Sequence, residues 1–279
     1  MRIVREELDA SGGACRAELA RRICRRLDWR TPGGAWSLMS ARVALLRLHR
    51  HGLIRLPAPR NGNGNAVALV PCQSDPDFGL APRVERVDQL PGLHLQAVEQ
   101  RIHSDIYNAL IARHHYLGFS PMAGAQMRYL IGWEGGWLGT LGFGEAAWQL
   151  APRDRFVGWD SKRRRQGLHR IVNNSRFLLL PWVRCANLAS KVLAMGLRRL
   201  AEDFHTRYGY RPVLVESFVE EGRFAGTSYR AANWVCVGWT QGRGKLGQRD
   251  QPRLARKAIW LYALNSRFRK ILAGSGSES

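Results

Sequence analysis

Residues 173–244 read NNSRFLLLPWVRCANLASKVLAMGLRRLAEDFHTRYGYRPVLVESFVEEGRFAGTSYRAANWVCVGWTQGRG, and this stretch decides the fold. The run RFLLLP is a short apolar segment ending at a proline, which is typical of a buried strand. Residues 186–208 then carry apolar side chains at helical spacing, with Asn187 as the expected cap and Gly209 as the stop. A buried strand at 212–215, a short helix TSYRAANW and a third strand VCVGW follow. Strand, long helix and strand in this order predict a parallel crossover unit.

The chain before and after this stretch continues the α/β pattern. LHLQAV alternates apolar and polar residues and predicts a first strand, and residues 104–114 have the apolar spacing of a helix. The strands QMRYLIGW and WLGTLGF follow, joined by a Glu-Gly-Gly hairpin signal. AIWLYAL is the last strand and precedes a basic tail. The sequence therefore predicts a mixed-sheet α/β domain over residues 93–279, with a basic, tryptophan-containing insert at 147–172.

The N-terminal part of the chain predicts a separate helical module. Helical spacing covers residues 3–8, 14–27 and 37–51, and LIRLP follows as a short strand. Three helices and a strand resemble a winged helix-turn-helix, so we expect a DNA-binding module over residues 1–57. Residues 58–92 contain closely spaced Gly, Asn and Pro and predict a linker.

The third predicted helix is the expected recognition helix of this module. Its serine and arginine side chains are types that contact phosphates or base edges. Residues 1–60 hold 13 arginines against 5 acidic residues, which favours a polyanion partner. The alternative is a small helical domain for protein contacts or dimerisation. The residues expected to contact DNA are Ser40, Arg42, Arg47 and Arg50.

The composition of the whole chain indicates a nucleic-acid partner. Lys and Arg number 43 against 22 Asp and Glu, a net charge of +21. Arginine-rich codon usage explains the preference for Arg over Lys but not the shortage of acids. No apolar run has the length of a membrane span and no apolar signal core opens the chain, so we expect a cytoplasmic protein without a membrane partner. The five cysteines have no CxxC spacing, which argues against a zinc site or a disulfide framework.

Two further basic stretches are expected to contact the polyanion. The first is flanked by tryptophans, and arginine beside tryptophan suits phosphate contact with base stacking. A solvated surface loop is the alternative. The residues concerned are Lys162, Arg163, Arg164 and Arg165 in the insert, and Arg243 and Lys245 between the last two strands.

Glu216 is an acidic residue inside the apolar run VLVESFV. A carboxylate in such a strand costs free energy unless it is paired or borders a cleft. Strand residues at the split of a parallel sheet line the usual ligand crevice, so we favour a catalytic role for Glu216. A metal ligand and a partner for a buried arginine are the alternatives.

His114, His115 and Tyr116 end the first helix of the α/β domain. Adjacent residues do not share one helical face, so the spacing does not predict a chelating pair, and no metal site is expected from it. One histidine is expected to interact with the helix dipole and the other is a candidate general base. We take His115 and Tyr116 as site residues.

Several long motifs resemble one bacterial family. They are RHHYLG, QMRYLI, NNSRFLLLPWVR with NLAS, RYGYRPVLVESFV, and RFAGTSYRAANWVCVGWTQGRG. The family is DruA-like; it was first catalogued as a domain of unknown function, includes DruA of the Druantia anti-phage system, and has relatives near transposase genes. The resemblance implies anti-phage defence or mobile-element biology.

The order of elements also resembles the GCN5-related acetyltransferase (GNAT) fold. In that family the short helix often bears a tyrosine that protonates a leaving thiolate, which implies this role for Tyr229; aromatic packing is the alternative. GNAT enzymes hold the cofactor pyrophosphate on a glycine-rich turn before the long helix. Here the turn reads VRCANLAS, without glycine. Arg184, Asn187 and Ser190 are left to hold an acyl-CoA, and the cofactor stays open.

The short stretch His-His-Tyr is also similar to one in the Mom group of DNA-modifying, GNAT-like phage enzymes. Group transfer to a nucleobase is therefore the function that we favour. Strand cleavage or transposition is the first alternative, with Tyr116 as a nucleophile or with carboxylates that bind Mg2+. A non-catalytic DNA-binding subunit is the second. The carboxylates of the Mg2+ alternative are Glu145, Asp154, Asp160 and Glu216.

Overall fold

The computed structural model describes residues 2–10, 14–31, 34–57, 85–122, 124–242 and 255–274. These residues belong to two compact units, one within residues 1–70 and one within 71–279. None of the helices in the described ranges is long and apolar enough to cross a membrane.

The described residues of the first unit form three α-helices, α1 (Arg2–Asp9), α2 (Arg16–Arg26) and α3 (Leu38–Arg50). Apolar side chains from α2 and α3, together with Ile54 and Leu56, form its core. The helices lie where the sequence predicts them. The predicted strand at 53–57 is irregular, and residues 58–84 of the predicted linker fall outside the described residues. The winged helix-turn-helix therefore stays a prediction.

The second unit is built on a seven-stranded mixed sheet. Its strands are β1 (His94–Ala97), β2 (Met127–Trp133), β3 (Gly136–Glu145), β4 (Ile171–Leu179), β5 (Leu214–Glu220), β6 (Val235–Trp239) and β7 (Lys257–Ala263). They lie in the order β1-β2-β3-β4-β5-β7-β6. Neighbouring strands are antiparallel except β4 and β5, which are parallel. The predicted mixed α/β fold, with its central parallel crossover, is confirmed.

In the described part of this unit, six α-helices accompany the sheet. They are α4 (Arg101–His114), α5 (Ala151–Val157), α6 (Ser161–Gly167), α7 (Leu188–Tyr208), α8 (Thr227–Ala231) and α9 (Phe268–Leu272). Helix α4 covers Leu130 of β2, whereas α7 covers the adjacent Tyr129. Successive residues of a strand point to opposite faces, so α4 and α7 lie on opposite sides of the sheet.

Helix α7 lies close against the strands because of a glycine. A side-chain carbon at Gly196 would lie 2.5 Å from the Leu141 side chain of β3. The helix begins after Asn187 and ends at Gly209, which adopts the left-handed conformation that the sequence predicts for its stop.

Two strands are longer than the sequence predicts. Strand β4 begins at Ile171, inside the predicted insert, because pairing with β3 and β5 overrides the low strand propensity of Asn173 and Asn174. Strand β5 extends to Glu220 rather than ending at Val215, because it is paired with β7 along its whole length. The rest of the insert forms α5 and α6, and the basic tail forms α9.

Candidate functional site

A wedge between β4 and β5 is the centre of the candidate site. The two strands pair at three positions only, the last joining Asn173 to Glu216, although both strands continue further. On the other side of β4, the register with β3 shifts and leaves Ser175 without a partner. The residues that follow the last pair therefore border an opening between neighbouring strands. Such a split is where ligands bind in open α/β sheets.

Three polar side chains are joined at the start of this wedge. The Tyr229 hydroxyl donates to Asn174 Oδ1 at 2.8 Å. The Ser217 hydroxyl lies 3.0 Å from the Tyr229 oxygen and 3.1 Å from the Asn174 carbonyl oxygen. Since Ser217 has one proton, it donates to one of these acceptors at a time. Asn174 is itself held by its Nδ2 group, which donates to the Gly142 carbonyl at 3.0 Å.

Burial keeps the Tyr229 phenol protonated. It raises the pKa of Tyr229 to about 12 because the phenolate would lose its hydration. The ring is fixed by Trp234, with centroids 5.0 Å apart, and by Trp260 at 6.3 Å. Tyr229 is therefore an oriented proton donor at neutral pH.

His115 and Tyr116 lie near the same opening, at the end of α4. Tyr116 contacts the Phe224 ring at 5.5 Å and lies beneath the Arg223 guanidinium at 4.4 Å. Tyr116 is also close enough to influence Tyr229, since it raises the pKa of that phenol. Burial, followed by the charge of Glu220, raises the pKa of Tyr116 itself. His115 and Tyr116 are thus neighbours, with ring centroids 5.0 Å apart, and Tyr116 lies within electrostatic range of Tyr229.

The His115 imidazole is uncharged at neutral pH. Its burial, assisted by the charges of Arg176 and Arg223, lowers the pKa of His115 to about 4. The Leu117 backbone N–H donates to Nδ1 at 3.3 Å, which leaves the proton of the neutral ring on Nε2. This arrangement favours His115 as a hydrogen-bond donor over the general base expected from the sequence.

We expect this histidine to make the protein less stable in acid. The unfolded His115 has an ordinary pKa near 6.5 and the folded one a pKa of about 4. Its contribution to stability is therefore complete above pH 6.5 and is lost as the pH falls toward 4, by up to about 3 kcal/mol. Denaturant unfolding of the wild type and of His115→Gln between pH 7 and pH 4 gives the two free energies of unfolding, and their difference measures this loss. An equally steep loss in both proteins would contradict the assignment.

Glu216 lies on the opposite face of β5 from Ser217, away from Tyr229. Its carboxylate and the Arg153 guanidinium are both fully buried and 2.9 Å apart. The Ala147 backbone N–H donates to the other carboxylate oxygen at 2.6 Å. Burial raises the pKa of Glu216, and Arg153 opposes that shift. This geometry matches the buried-arginine alternative rather than a side chain in the wedge.

Arg153 belongs to the insert and connects this ion pair to other side chains there. Arg153 also binds Asp154, which in turn accepts from Trp159 Nε1 at 2.9 Å and from Arg164 at 3.2 Å. Asp160 caps α6 by accepting from two backbone N–H groups. Glu145 is exposed at the end of β3. Within the described residues no group of three or more His, Cys, Asp or Glu side chains is placed to hold a metal ion, so the Mg2+ alternative finds no support there.

The N-terminus of α7 has the features expected of an anion site in part. Asn187 adopts a left-handed conformation with φ 64°, and its side chain makes no capping hydrogen bond. Asparagine tolerates this conformation, which most other residues disfavour. The Ser190 hydroxyl donates to the Asn187 carbonyl at 3.1 Å, and Arg184 is exposed nearby in sequence. The Asn187 side chain therefore does not cap the first turn, although the Leu188 backbone N–H donates to the Cys185 carbonyl at 3.4 Å.

The basic residues predicted to bind DNA have different environments. Ser40, Arg42, Arg47 and Arg50 are exposed on α3, away from its buried Ala41 and Leu45. Lys162, Arg163 and Arg165 are exposed on α6, whereas Arg164 is largely covered and paired with Asp154. Arg243 and Lys245 lie outside the described residues.

Several side chains that border the wedge are not among the residues predicted from the sequence. Asn174 and Ser217 are polar residues within apolar strands. Because buried polar groups need hydrogen-bond partners, this pattern could have indicated a polar site. Arg176 and Arg223 were overlooked because arginine is abundant throughout the chain. Their position near His115 and Tyr116 follows from tertiary structure.

Comparison with known proteins identifies the family. Residues 48–273 match the family described as Druantia protein DruA, so the chain belongs to the DruA family. No curated protein matches the sequence.

Similar solved structures are acetyltransferases of low sequence identity. Spermidine/spermine N-acetyltransferase SpeG from Vibrio cholerae is 13% identical, with 66% of this chain and 98% of that chain covered and a TM-score of 0.40. A probable GNAT-family acetyltransferase from Chromobacterium violaceum is 12% identical, with 76% and 96% covered and a TM-score of 0.39. An N-acetyltransferase from Staphylococcus aureus is 8% identical, with 62% and 97% covered and a TM-score of 0.36. At these values the likeness carries no inference about substrate or catalytic residues.

Proposed function

We propose that this DruA-family protein is a transferase that attaches a group to a nucleobase of DNA in the wedge between β4 and β5. The observation that carries the proposal is the position of Tyr229, which is bonded to Asn174 and Ser217 where β4 and β5 separate, with the neighbouring pair Tyr116 and His115 within electrostatic range. A buried phenol that stays protonated supplies an acid, and the neighbouring aromatic side chains supply a surface for a planar base.

Tyr229 is the proposed proton donor in the transfer step. Its hydroxyl is oriented by Asn174 and Ser217 and faces the region where the strands separate. In the transfer, an amino nitrogen of the base forms a bond to the acyl group as the bond to the leaving thiolate breaks. Tyr229 gives its proton to the thiolate and regains one from that nitrogen. His115 is proposed to donate its Nε2–H to an acceptor on the base.

Tyr116, Phe224 and Arg223 form the proposed base-binding surface. Phe224 is 51% exposed, although it is a large apolar side chain. An aromatic side chain beside an arginine stacks on a base without requiring a particular sequence. A nucleobase inside a duplex must leave the stack to reach such a surface, so we propose that the target base is extruded or single-stranded.

Arg184, Asn187 and Ser190 are the residues that would hold the diphosphate of an acyl-CoA at the start of α7. A helix start without a side-chain cap from Asn187, and an exposed arginine close to it in sequence, fit an anionic group. An acyl-CoA bound there would supply an activated acyl group. The proposal places Glu216 outside this chemistry, as a structural partner of Arg153.

Strand cleavage by Tyr116 is the less favoured function. Burial and Glu220 raise the pKa of the Tyr116 phenol, which opposes its use as a nucleophile. Membership of the DruA family supports a role in anti-phage defence. We also propose that the protein acts in the cytoplasm, where its DNA substrate is available.

We expect the full-length protein to bind duplex DNA with a steep dependence on salt. A net charge of +21 favours several phosphate contacts, and six to ten of them would lower the affinity by about 10³-fold or more between 50 and 200 mM salt. Replacing Arg42, Arg47 and Arg50 by glutamine should reduce the salt slope by about 3. Fluorescence anisotropy with a labelled duplex measures both effects.

The control for this experiment removes the same charge elsewhere. Glutamine at Arg101, Arg198 and Arg267 takes three exposed arginines from the second unit. The control should bind nearly as the wild type does. A flat salt response in the wild type, or equal losses in the two triple variants, would contradict α3 as the DNA-contacting helix.

A further inference from the structure

A pocket of about 190 Å³ lies on the α4 side of the sheet. Its polar lining is Tyr107, Asn108, Ser120, Gln126, Arg128 and Arg176. None of the described residues that line it is acidic. Ser120 is exposed and Tyr107 is buried, so the pocket reaches from the surface into the interior. Its volume is well above that needed for a single water molecule, so it accommodates a small polyatomic group.

The Tyr107 hydroxyl is an unpaired polar group at the inner end of this pocket. Tyr107 is 2% exposed, and its oxygen has no hydrogen-bond partner among the described residues. Gly142 leaves room for it, since a side-chain carbon there would lie 2.3 Å from that oxygen. Burial raises the pKa of Tyr107, so the group remains a donor. A buried donor without an acceptor destabilises the protein unless a ligand supplies one.

Two arginines in the pocket have no carboxylate partner among the described residues. Arg128 donates to Ser104 Oγ at 3.2 Å and to Asn108 Oδ1 at 3.4 Å. Arg176 donates to Ser120 Oγ and to the Ser175 carbonyl, both at 2.8 Å. All four acceptors are neutral. Each guanidinium has five N–H groups, so both retain donors and an uncompensated charge for a ligand.

We propose that this pocket binds one phosphate group through Tyr107, Arg128 and Arg176. Two guanidinium groups and a hydroxyl approach from separate elements, which suits a tetrahedral oxyanion with several acceptor oxygens. The phosphate belongs to nucleic acid, either as a terminal monophosphate or as an internal phosphodiester. The assignment of this phosphate to nucleic acid rests on the proposed function, whereas phosphate binding itself requires neither a cofactor nor a transfer step.

The pocket borders the wedge through Arg176. The same guanidinium that lines the pocket lowers the pKa of His115. A phosphate held by Arg176 therefore lies beside the base-binding surface, as the backbone of an extruded nucleotide would. It also compensates the charge that acts on His115, so the ligand should raise the pKa of that imidazole.

The test is a titration of the full chain with inorganic phosphate at constant ionic strength, followed by thermal unfolding. The wild type should be stabilised saturably, whereas added chloride should have no such effect. Tyr107→Phe should unfold at the same or a higher temperature without phosphate, because an unpaired hydroxyl is removed. Tyr107→Phe and Arg128→Gln should each raise the dissociation constant for phosphate about tenfold or more.

Arg198→Gln, at an exposed position of α7, is the matched control and should leave phosphate affinity unchanged. Equal stabilisation of the wild type and Tyr107→Phe, or none in the wild type, would overturn the proposal. The source of the phosphate is distinguished with short single strands. Each strand is added to the phosphate titration as a competitor of inorganic phosphate. If only a 5′-phosphorylated strand raises the apparent dissociation constant for phosphate, the ligand is a terminal monophosphate. If a 5′-hydroxyl strand raises it equally, the ligand is a phosphodiester. Competition by neither would overturn the assignment to nucleic acid.

Discussion

Replacing Tyr229 with phenylalanine is expected to abolish phage protection while the protein stays folded. The change removes only the hydroxyl that donates to Asn174 and lies near Ser217. Loss of these hydrogen bonds should lower the free energy of unfolding by about 1–3 kcal/mol. Loss of a general acid should slow the reaction by about 10²- to 10⁴-fold. Plating efficiency of phage on cells that carry the complete defence system, with thermal unfolding of the purified variant, measures the two effects.

Tyr262→Phe is the matched control for this change. Tyr262 lies on β7, where its ring packs against Trp234 at 5.8 Å, and its hydroxyl is not part of the hydrogen bonds that join Tyr229, Asn174 and Ser217. The control should keep full protection. If Tyr229→Phe is folded and protects as well as the wild type, then Tyr229 has a packing role only, and a non-catalytic DNA-binding protein becomes the better account.

Separating Arg153 from Glu216 is expected to produce the largest loss of stability. Both side chains are fully buried, so Arg153→Met leaves the Glu216 carboxylate in the interior without its partner. Breaking a buried ion pair in this way costs about 3–5 kcal/mol. Glu216→Leu should cost less, because the Arg153 guanidinium keeps its contact with Asp154. The double variant removes both charges, and Asp154 keeps its contacts with Trp159 and Arg164. It should therefore recover most of the lost stability.

The same variants decide between a structural and a catalytic Glu216. Denaturant unfolding of both single variants and the double variant gives the coupling between the two side chains. The structural account predicts a folded double variant that still protects against phage. A double variant as stable as the wild type but without protection would return Glu216 to the catalytic site.

The sequence predicts the elements of the fold better than their ends. The strand VCVGW corresponds to β6 without error, and Gly209 ends α7 as expected. The strand predicted for β4 is shorter than the observed one, because two asparagines interrupt the apolar pattern of the sequence. Pairing with β3 and β5 compensates for them in the folded chain. Strand propensity depends on neighbouring strands, which a single chain segment does not reveal.

The candidate site was predicted in part because its residues come from separate elements. Burial of Glu216 follows from its apolar neighbours, but its partner is 63 residues away in an insert whose position is set by tertiary packing. Whether Glu216 or Ser217 faces the wedge depends on the register of β5, and a shift by one residue would exchange them. Tyr107, Arg128 and Arg176 have no local motif at all, so their pocket appears only in the folded chain.

The most direct test of nucleobase modification is mass spectrometry of nucleosides from cellular DNA. DNA is digested from cells that express the wild type, Tyr229→Phe or no protein, in each case together with the rest of the defence system and during phage infection. The account predicts a nucleoside of increased mass with the wild type that is missing from the other two samples. Identical nucleosides in all three samples, while the wild type protects the cells, would contradict group transfer to DNA.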